Sequence, residues 1–351
     1  MVIGFLESRG KGITINMKLK RMGFILLILS CVFLNSSCSY MVKNDEHQIC
    51  LKPKYGMDKF VVVKGHNLHY VEVGEGETLL LIPGAFSTYR HWNRMIPYLS
   101  KYYKLLCIDY LGVGDSDKPR SGFGYTIEEQ ADLIVKMIET LKISKVHILG
   151  VSYGGAIALN LSARYPEKVD KIISIEGNGI KHQNAPYQPM KGLLRWPVIG
   201  ELSIGVIRSG FADRLVAKSV MGKAWDQMSQ AERKEILEII SQNNKTASCI
   251  SWYRISRTIE TSKDFADEAK TIQIPILYLY GGNSTYHDMA ETNAEFLKTH
   301  LPNVKIVRFK DGIHDLELQK PEEVSDLVLE FLAKPQINKQ NAFNPNVQIS
   351  E

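Results

Sequence analysis

The chain has few cysteines, and none in a useful arrangement. Of its five, Cys31 and Cys38 lie in the N-terminal segment, and Cys50, Cys107 and Cys249 are scattered beyond it. An odd, widely spaced set gives no disulfide framework. No CxxC pair and no cysteine/histidine group with zinc spacing occurs, which excludes a zinc-finger reading. Cys107 sits in an apolar run and reads as a small buried hydrophobe. A basic stripe is also missing. The formal net charge is +5, but Arg9, Lys11, Lys18, Lys20 and Arg21 stand against Glu7 alone in residues 1–38. Beyond that segment 38 basic residues face 37 acidic ones. That balance excludes a phosphate-tracking nucleic-acid binder. Long apolar runs are absent as well. Phe24 to Leu34 is interrupted by Ser30 and Cys31 and is short for a membrane-spanning helix.

What is present at the N-terminus is a targeting pattern. Met17-Lys-Leu-Lys-Arg is basic, the run from Phe24 to Leu34 is apolar, and Asn35-Ser-Ser-Cys38 supplies small residues before a cysteine. Residues 1–38 therefore read as a secretory signal, with the start at Met1 or Met17 left open. The ending resembles a bacterial lipoprotein signal with Cys38 as the lipid-bearing residue, although Asn35 stands where that pattern has an apolar residue. The expectation is an exported protein, periplasmic or held to a bacterial envelope membrane by an N-terminal lipid or an uncleaved signal anchor.

Residues 39–58 read as a polar tether. From 59 onward strand and helix signals alternate. "FVVVKGHNLHYVEVG" has the form of a hairpin, "TLLLIPG", "YKLLCIDY", "KVHILG" and "IPILYLYGG" are short apolar strands, and "TIEEQADLIVKMIETLK" and "PEEVSDLVLEFLA" carry helical periodicity. Buried strands alternating with amphipathic helices predict an α/β fold, a mostly parallel sheet with helices on both faces. Between 178 and 273 strand signals vanish and helical ones dominate, so this segment is an inserted helical cap on a core of 59–177 and 274–333. Residues 334–351 are polar and read as a disordered tail.

The chemistry centres on "VHILGVSYGGAIAL". Gly-x-Ser-x-Gly between a strand and a helix is the setting of a nucleophile elbow, where Ser152 projects its hydroxyl from a sharp turn. Side chains at Gly150 and Gly154 would crowd that turn. Taken with "LHYVEVG", "LLLIPG", "DYLGVGDSDKP" and "GIHDLELQKPEEVSDLVLEFL", the segment resembles the α/β-hydrolase fold superfamily. Its cap-bearing members, among them esterases, C–C bond hydrolases and haloalkane dehalogenase-like proteins, are the most similar. The resemblance runs from about Phe60 to Ala333.

The resemblance implies that His314, after the last strand of the core, is the general base for Ser152. It implies an oxyanion hole of backbone N–H groups from Tyr153 and from the "PGAFSTYRHW" loop, with Ala85 the favoured donor there and Phe86 next. Asp109, Asp115 and Asp117 read as shapers of a loop, and His66, His69, His147 and His287 as structural. His91 lies beside Trp92 near the site.

The acid that orients the base is displaced. In "YLYGGNSTYHD" the position that usually carries an aspartate is Ser284. Glu176, at the end of "DKIISIEG", is the favoured substitute, and Asp288 is the alternative acid. The expected function is a serine hydrolase that cleaves a carboxylic ester or similar small-molecule acyl substrate through an acyl-enzyme. A C–C bond hydrolase with the same triad and a non-catalytic binding protein on a hydrolase scaffold stay open. A serine nucleophile argues against the dehalogenase and epoxide hydrolase relatives, which use aspartate. This chemistry calls for no metal and no organic cofactor. Trp196, Phe211, Trp225 and Trp252 in the cap are candidates to line the pocket.

Overall fold

The computed structural model describes residues 52–177, 180, 189–261, 264–333 and 347–350. The signal segment, Cys38, Cys50 and the tether up to residue 51 lie outside them. The first strand, β1 (Met57–Val63), starts two residues inside the expected tether. It pairs antiparallel with β2 (His66–Val73). Lys64 and Gly65 connect them with φ of 49° and 80°. Two successive positive φ values make the primed turn whose twist suits a tight hairpin.

β2 pairs antiparallel with β4 (Lys104–Asp109). From there β3 (Thr78–Ile82), β5 (Val146–Val151), β6 (Val169–Ile175), β7 (Ile276–Gly281) and β8 (Val304–Phe309) continue the sheet in parallel. The strand order is 1-2-4-3-5-6-7-8-9. The last strand, β9 (Val347–Ser350), lies antiparallel on β8. It falls inside the segment expected to be a disordered tail. Its Val-Gln-Ile-Ser alternation has a period of two and meets the open edge of β8. Residues 334–346 lie outside the described residues.

The strand period divides the core in two. Leu80, Ile82, Leu106, Ile148 and Ile172 face α1 (Ile127–Thr140), α2 (Tyr153–Arg164) and α7 (His287–His300) through Ile134, Ile157 and Leu297. Leu79, Leu81, Leu105, Cys107, Leu149 and Ile173 face Trp92, Met95 and Val328 of α8 (Pro321–Leu332). Both faces are covered, which is why the parallel strands read as continuous apolar runs.

Between β6 and β7 the described residues are helical. The longer helices are α3 (Pro197–Arg208), α4 (Asp213–Met221), α5 (Gln230–Lys245) and α6 (Cys249–Thr261). Met221, Trp225, Ile236 and Ile240 form a small core that also takes in Ile313 and Leu318. The cap therefore rests on the loop on either side of His314. Arg94 pairs with Glu232 at 3.5 Å and Glu235 at 3.2 Å, and Ser251 Oγ donates to Gly112 O at 2.7 Å. No helix among the described residues is long and apolar enough to cross a membrane.

Asp109, at the end of β4, is fully buried and holds the neighbouring loops. Its Oδ2 meets His69 Nδ1 at 2.8 Å and accepts from Asp115 N at 3.0 Å, while Oδ1 accepts from Tyr89 N at 2.8 Å. Gly114, at φ 56°, presses its backbone on this carboxylate so closely that a Cβ would overlap it. Burial disfavours the Asp109 anion, yet the His69 hydrogen bond and charge outweigh it and hold its pKa below the ordinary value. Removing one partner of such a pair strands the other in the core. Asp109→Ala should cost about 3–5 kcal/mol of stability, read as a lowered urea midpoint.

Candidate active site

Ser152 sits between β5 and α2 with φ 52° and ψ −115°, a backbone conformation that a side chain rarely adopts. Its N–H donates to Ile175 O at 2.8 Å, which ties the turn to the end of β6. The glycines around it are required by contact. A Cβ at Gly150 would strike Gly154 O, and one at Gly154 would strike Ile82 O and Pro83 O. A Cβ at Gly155 would lie 2.7 Å from Gly177 Cα. The turn can stay strained because the surrounding backbone leaves it no alternative.

Glu176 follows β6 directly, also at positive φ, 45°. It is completely buried. Its Oε1 accepts from Gly281 N at 2.8 Å. Its Oε2 accepts from Ser284 Oγ at 2.7 Å and lies 2.5 Å from His314 Nδ1. His314 is thus held by a carboxylate from β6 whose own place is fixed by the end of β7. The ring of Tyr286 packs on His314, with centroids 4.6 Å apart. Burial works against the imidazolium, but the Glu176 charge and hydrogen bond, with Asp315 and Glu317 beyond, raise the His314 pKa to about 9.

The oxyanion loop lies against the elbow. A Cβ built on Gly84 would be 3.6 Å from Ser152 Cβ. Tyr110 Oη donates to Gly84 O at 3.0 Å, and Ser87 N closes the turn on the same carbonyl at 3.2 Å. Phe86 has φ 65°, and its carbonyl accepts from Asn243 Nδ2 of the cap at 2.9 Å. Its ring packs on Trp252 with centroids 5.0 Å apart. The carbonyl and ring of Phe86 thus tie the loop to the cap, and Ala85 stays the favoured candidate donor with Phe86 next. Tyr153 opens α2, where the first N–H groups of a helix have no partner within it. Its phenol points away and donates to Tyr125 O at 2.8 Å.

The remaining candidates fall elsewhere. Asp288 is exposed in the first turn of α7, where a carboxylate complements the helix dipole. The acid on His314 Nδ1 is Glu176. His69 belongs to the Asp109 network, His147 faces Glu77 at 3.4 Å, and His91 is buried beside Glu317. The four cap aromatics divide. Trp225 is in the core of the cap and Trp252 packs on Phe86, whereas Trp196 and Phe211 are 60% and 90% exposed rather than turned inward. Sequence reasoning missed two parts of the site. Ser284 anchors Glu176, and its position in place of an acid was the available signal. Asn243 holds the oxyanion loop from the cap, and no sequence pattern marked it.

The α/β-hydrolase fold family model matches residues 77–198, from β3 through the elbow and β6 into the cap. A cis-3-alkyl-4-alkyloxetan-2-one decarboxylase of Shewanella oneidensis is 24% identical over 307 residues, 83% of this chain and 93% of that protein. A 2-hydroxy-6-oxo-6-phenylhexa-2,4-dienoate hydrolase of Comamonas testosteroni is 30% identical over 135 residues, 36% of this chain and 45% of that one. Among solved structures, a membrane phospholipase A described as a bacterial virulence factor superimposes with a TM-score of 0.64 at 22% identity, over 90% of this chain and 98% of its own. With the sheet order and the strained serine turn already described, these matches lead to one conclusion: the chain has the α/β-hydrolase fold, and its relatives support a hydrolase.

Proposed function

We propose that the protein is a serine hydrolase of the carboxylesterase type acting on a small ester or similar acyl substrate. The observation that carries this reading is the buried Glu176–His314 pair at 2.5 Å, at the same sheet end as the strained Ser152 turn. Ser152 Oγ attacks the carbonyl carbon as His314 Nε2 takes its proton. Glu176 fixes the imidazole by Nδ1 and stabilises the cation that forms. The N–H groups of Ala85 and Tyr153 receive the charge on the carbonyl oxygen. His314 returns the proton to the leaving alcohol, and water then repeats the sequence on the acyl-enzyme. Hydrolysis of a C–C bond by the same residues is the second reading, favoured by the Comamonas relative.

We also propose that the chain is exported, as the basic segment Met17–Arg21 and the apolar run that follows suggest. Expressed at full length in a bacterium, it should fractionate with the envelope. Cys38→Ala should release it from the membrane fraction if a lipid holds it there, and recovery of the wild type in the cytoplasm would end the export reading.

The first test of the activity is turnover of p-nitrophenyl acetate, butyrate and octanoate by the full chain, with a vinylogous diketone alongside. Ester turnover lost in Ser152→Ala supports the esterase reading. Turnover confined to the diketone moves the assignment to C–C hydrolysis, and none on either substrate refutes both. Glu176→Gln keeps the shape but not the charge, and should lower kcat by about 10³–10⁴.

The pH dependence follows from His314. Acylation needs the neutral imidazole, and the surrounding carboxylates favour the charged form. The acid limb of kcat/KM should therefore lie above the ordinary histidine value of 6.5, with activity lost as pH falls through it. Imidazole NMR of Glu176→Gln should show the His314 titration moved down toward 6.5. An unchanged midpoint would mean that Glu176 does not set it.

A further inference from the structure

Next to the proposed triad lies a cluster that its reaction leaves unused. His91 belongs to the short turn Tyr89–Arg94 after the oxyanion loop, and Asp315 and Glu317 follow His314. One ligand atom from each of the three lies within 4.8 Å of the other two, and His91 Nδ1 is 3.7 Å from Glu317 Oε1. Glu317 is completely buried and His91 nearly so. Among the described residues neither oxygen of Glu317 has a hydrogen-bond partner, and neither does His91 Nδ1. Buried polar atoms without partners carry a desolvation cost, and a group of them converging on one point calls for something to bind there.

A second cluster in the chain supplies the contrast. His69, Asp109 and Asp115 bring the same residue types equally close. There, both nitrogens of His69 face carboxylates, and both oxygens of Asp109 are bonded by protein groups. His69 and Asp109 there are closed by their own hydrogen bonds, and the Arg90 guanidinium lies 3.7 Å from Asp115 Oδ2. The cluster at His91 is not closed in this way.

We infer that His91, Asp315 and Glu317 bind one divalent transition-metal cation of the Zn²⁺ class. One imidazole nitrogen and two carboxylate oxygens make a three-ligand set that leaves a position for water. Ca²⁺ fits poorly, because it takes six to eight oxygen ligands, and Mg²⁺ also prefers oxygen. Two carboxylates against a dication balance charge, and His91 and Glu317 are buried while Asp315 is partly open to solvent. The ion would also have a mechanical effect. It ties the segment carrying His314 to the turn that follows the oxyanion loop, two stretches more than 220 residues apart in sequence. It takes no part in acyl transfer, so this inference does not depend on the esterase reading.

The test is binding rather than turnover. The full chain, stripped with a chelator and freed of it, is titrated with Zn²⁺ by calorimetry and melted with and without the ion. One Zn²⁺ per chain and a raised Tm are expected. His91→Gln and Glu317→Gln should each weaken binding at least about tenfold. His314→Gln and Asp288→Asn should leave it in place, which separates this site from the catalytic histidine and from exposed acids. Imidazole NMR of the unmodified protein covers the case in which a variant does not fold: the His91 Nδ1 resonance should move when Zn²⁺ is added. No bound Zn²⁺, a still His91 resonance, or binding that survives both substitutions would overturn the proposal. A Tm raised by Ca²⁺ and not by Zn²⁺ would overturn the class assigned to the ion.

Discussion

The site is organised around one buried carboxylate. Glu176 sits at the end of β6 with no exposure to solvent, and a bare anion there would cost several kcal/mol. It is tolerable because it is fully engaged by Gly281 N and Ser284 Oγ from the β7 end and by His314 Nδ1 from beyond β8. Three successive segments of the sheet therefore converge on two oxygen atoms. The positive φ at Glu176 is what turns the side chain back over the ends of its neighbours instead of outward. Strain at one residue is thus spread over contacts that several elements make together.

The nucleophile turn obeys the same logic with steric exclusion in place of charge. Ser152 holds a disfavoured backbone because α2 starts directly against β3 and β6, and Gly150, Gly154 and Gly155 are the positions where those backbones touch. The oxyanion loop is then laid on the turn and pinned from two sides. Tyr110 holds it from beneath, and Asn243 and Trp252 hold it from the cap. The cap packs at the same time on Ile313 and Leu318, around the base. Movement of the cap would consequently be felt by both the oxyanion loop and the His314 loop.

Much of this was legible from local pattern. The apolar runs gave the parallel strands because strands covered on both faces need no alternation. The glycine pattern around Ser152 gave the turn because it reports backbone clashes at fixed offsets. The serine at 284 drew attention to Glu176, since a histidine base needs a carboxylate from somewhere. Other features depend on contacts between distant segments and leave no periodic trace. Asn243 is one polar residue in a polar helix until the fold brings it to Phe86 O, 157 positions away. Trp196 and Trp252 look alike in sequence, and only the packing of α3 and α6 separates the exposed ring from the buried one. β9 is a four-residue run whose pairing depends on β8 having a free edge.

Ser284 explains why the acid can stand on β6 without damage to the site. A carboxylate at both 176 and 284 would set two anions at hydrogen-bond distance, and one would be forced to hold a proton. With a hydroxyl at 284 the same contact becomes favourable: Ser284 Oγ donates to Glu176 Oε2, and accepts in turn from Tyr286 N at 3.0 Å. The chain of donors then runs from the Tyr286 backbone through Ser284 to the Glu176 carboxylate that faces His314. The ring of Tyr286 returns to pack on His314 itself. The serine at 284 is therefore part of the same arrangement as Glu176, since each residue suits its position only while the other keeps its chemistry.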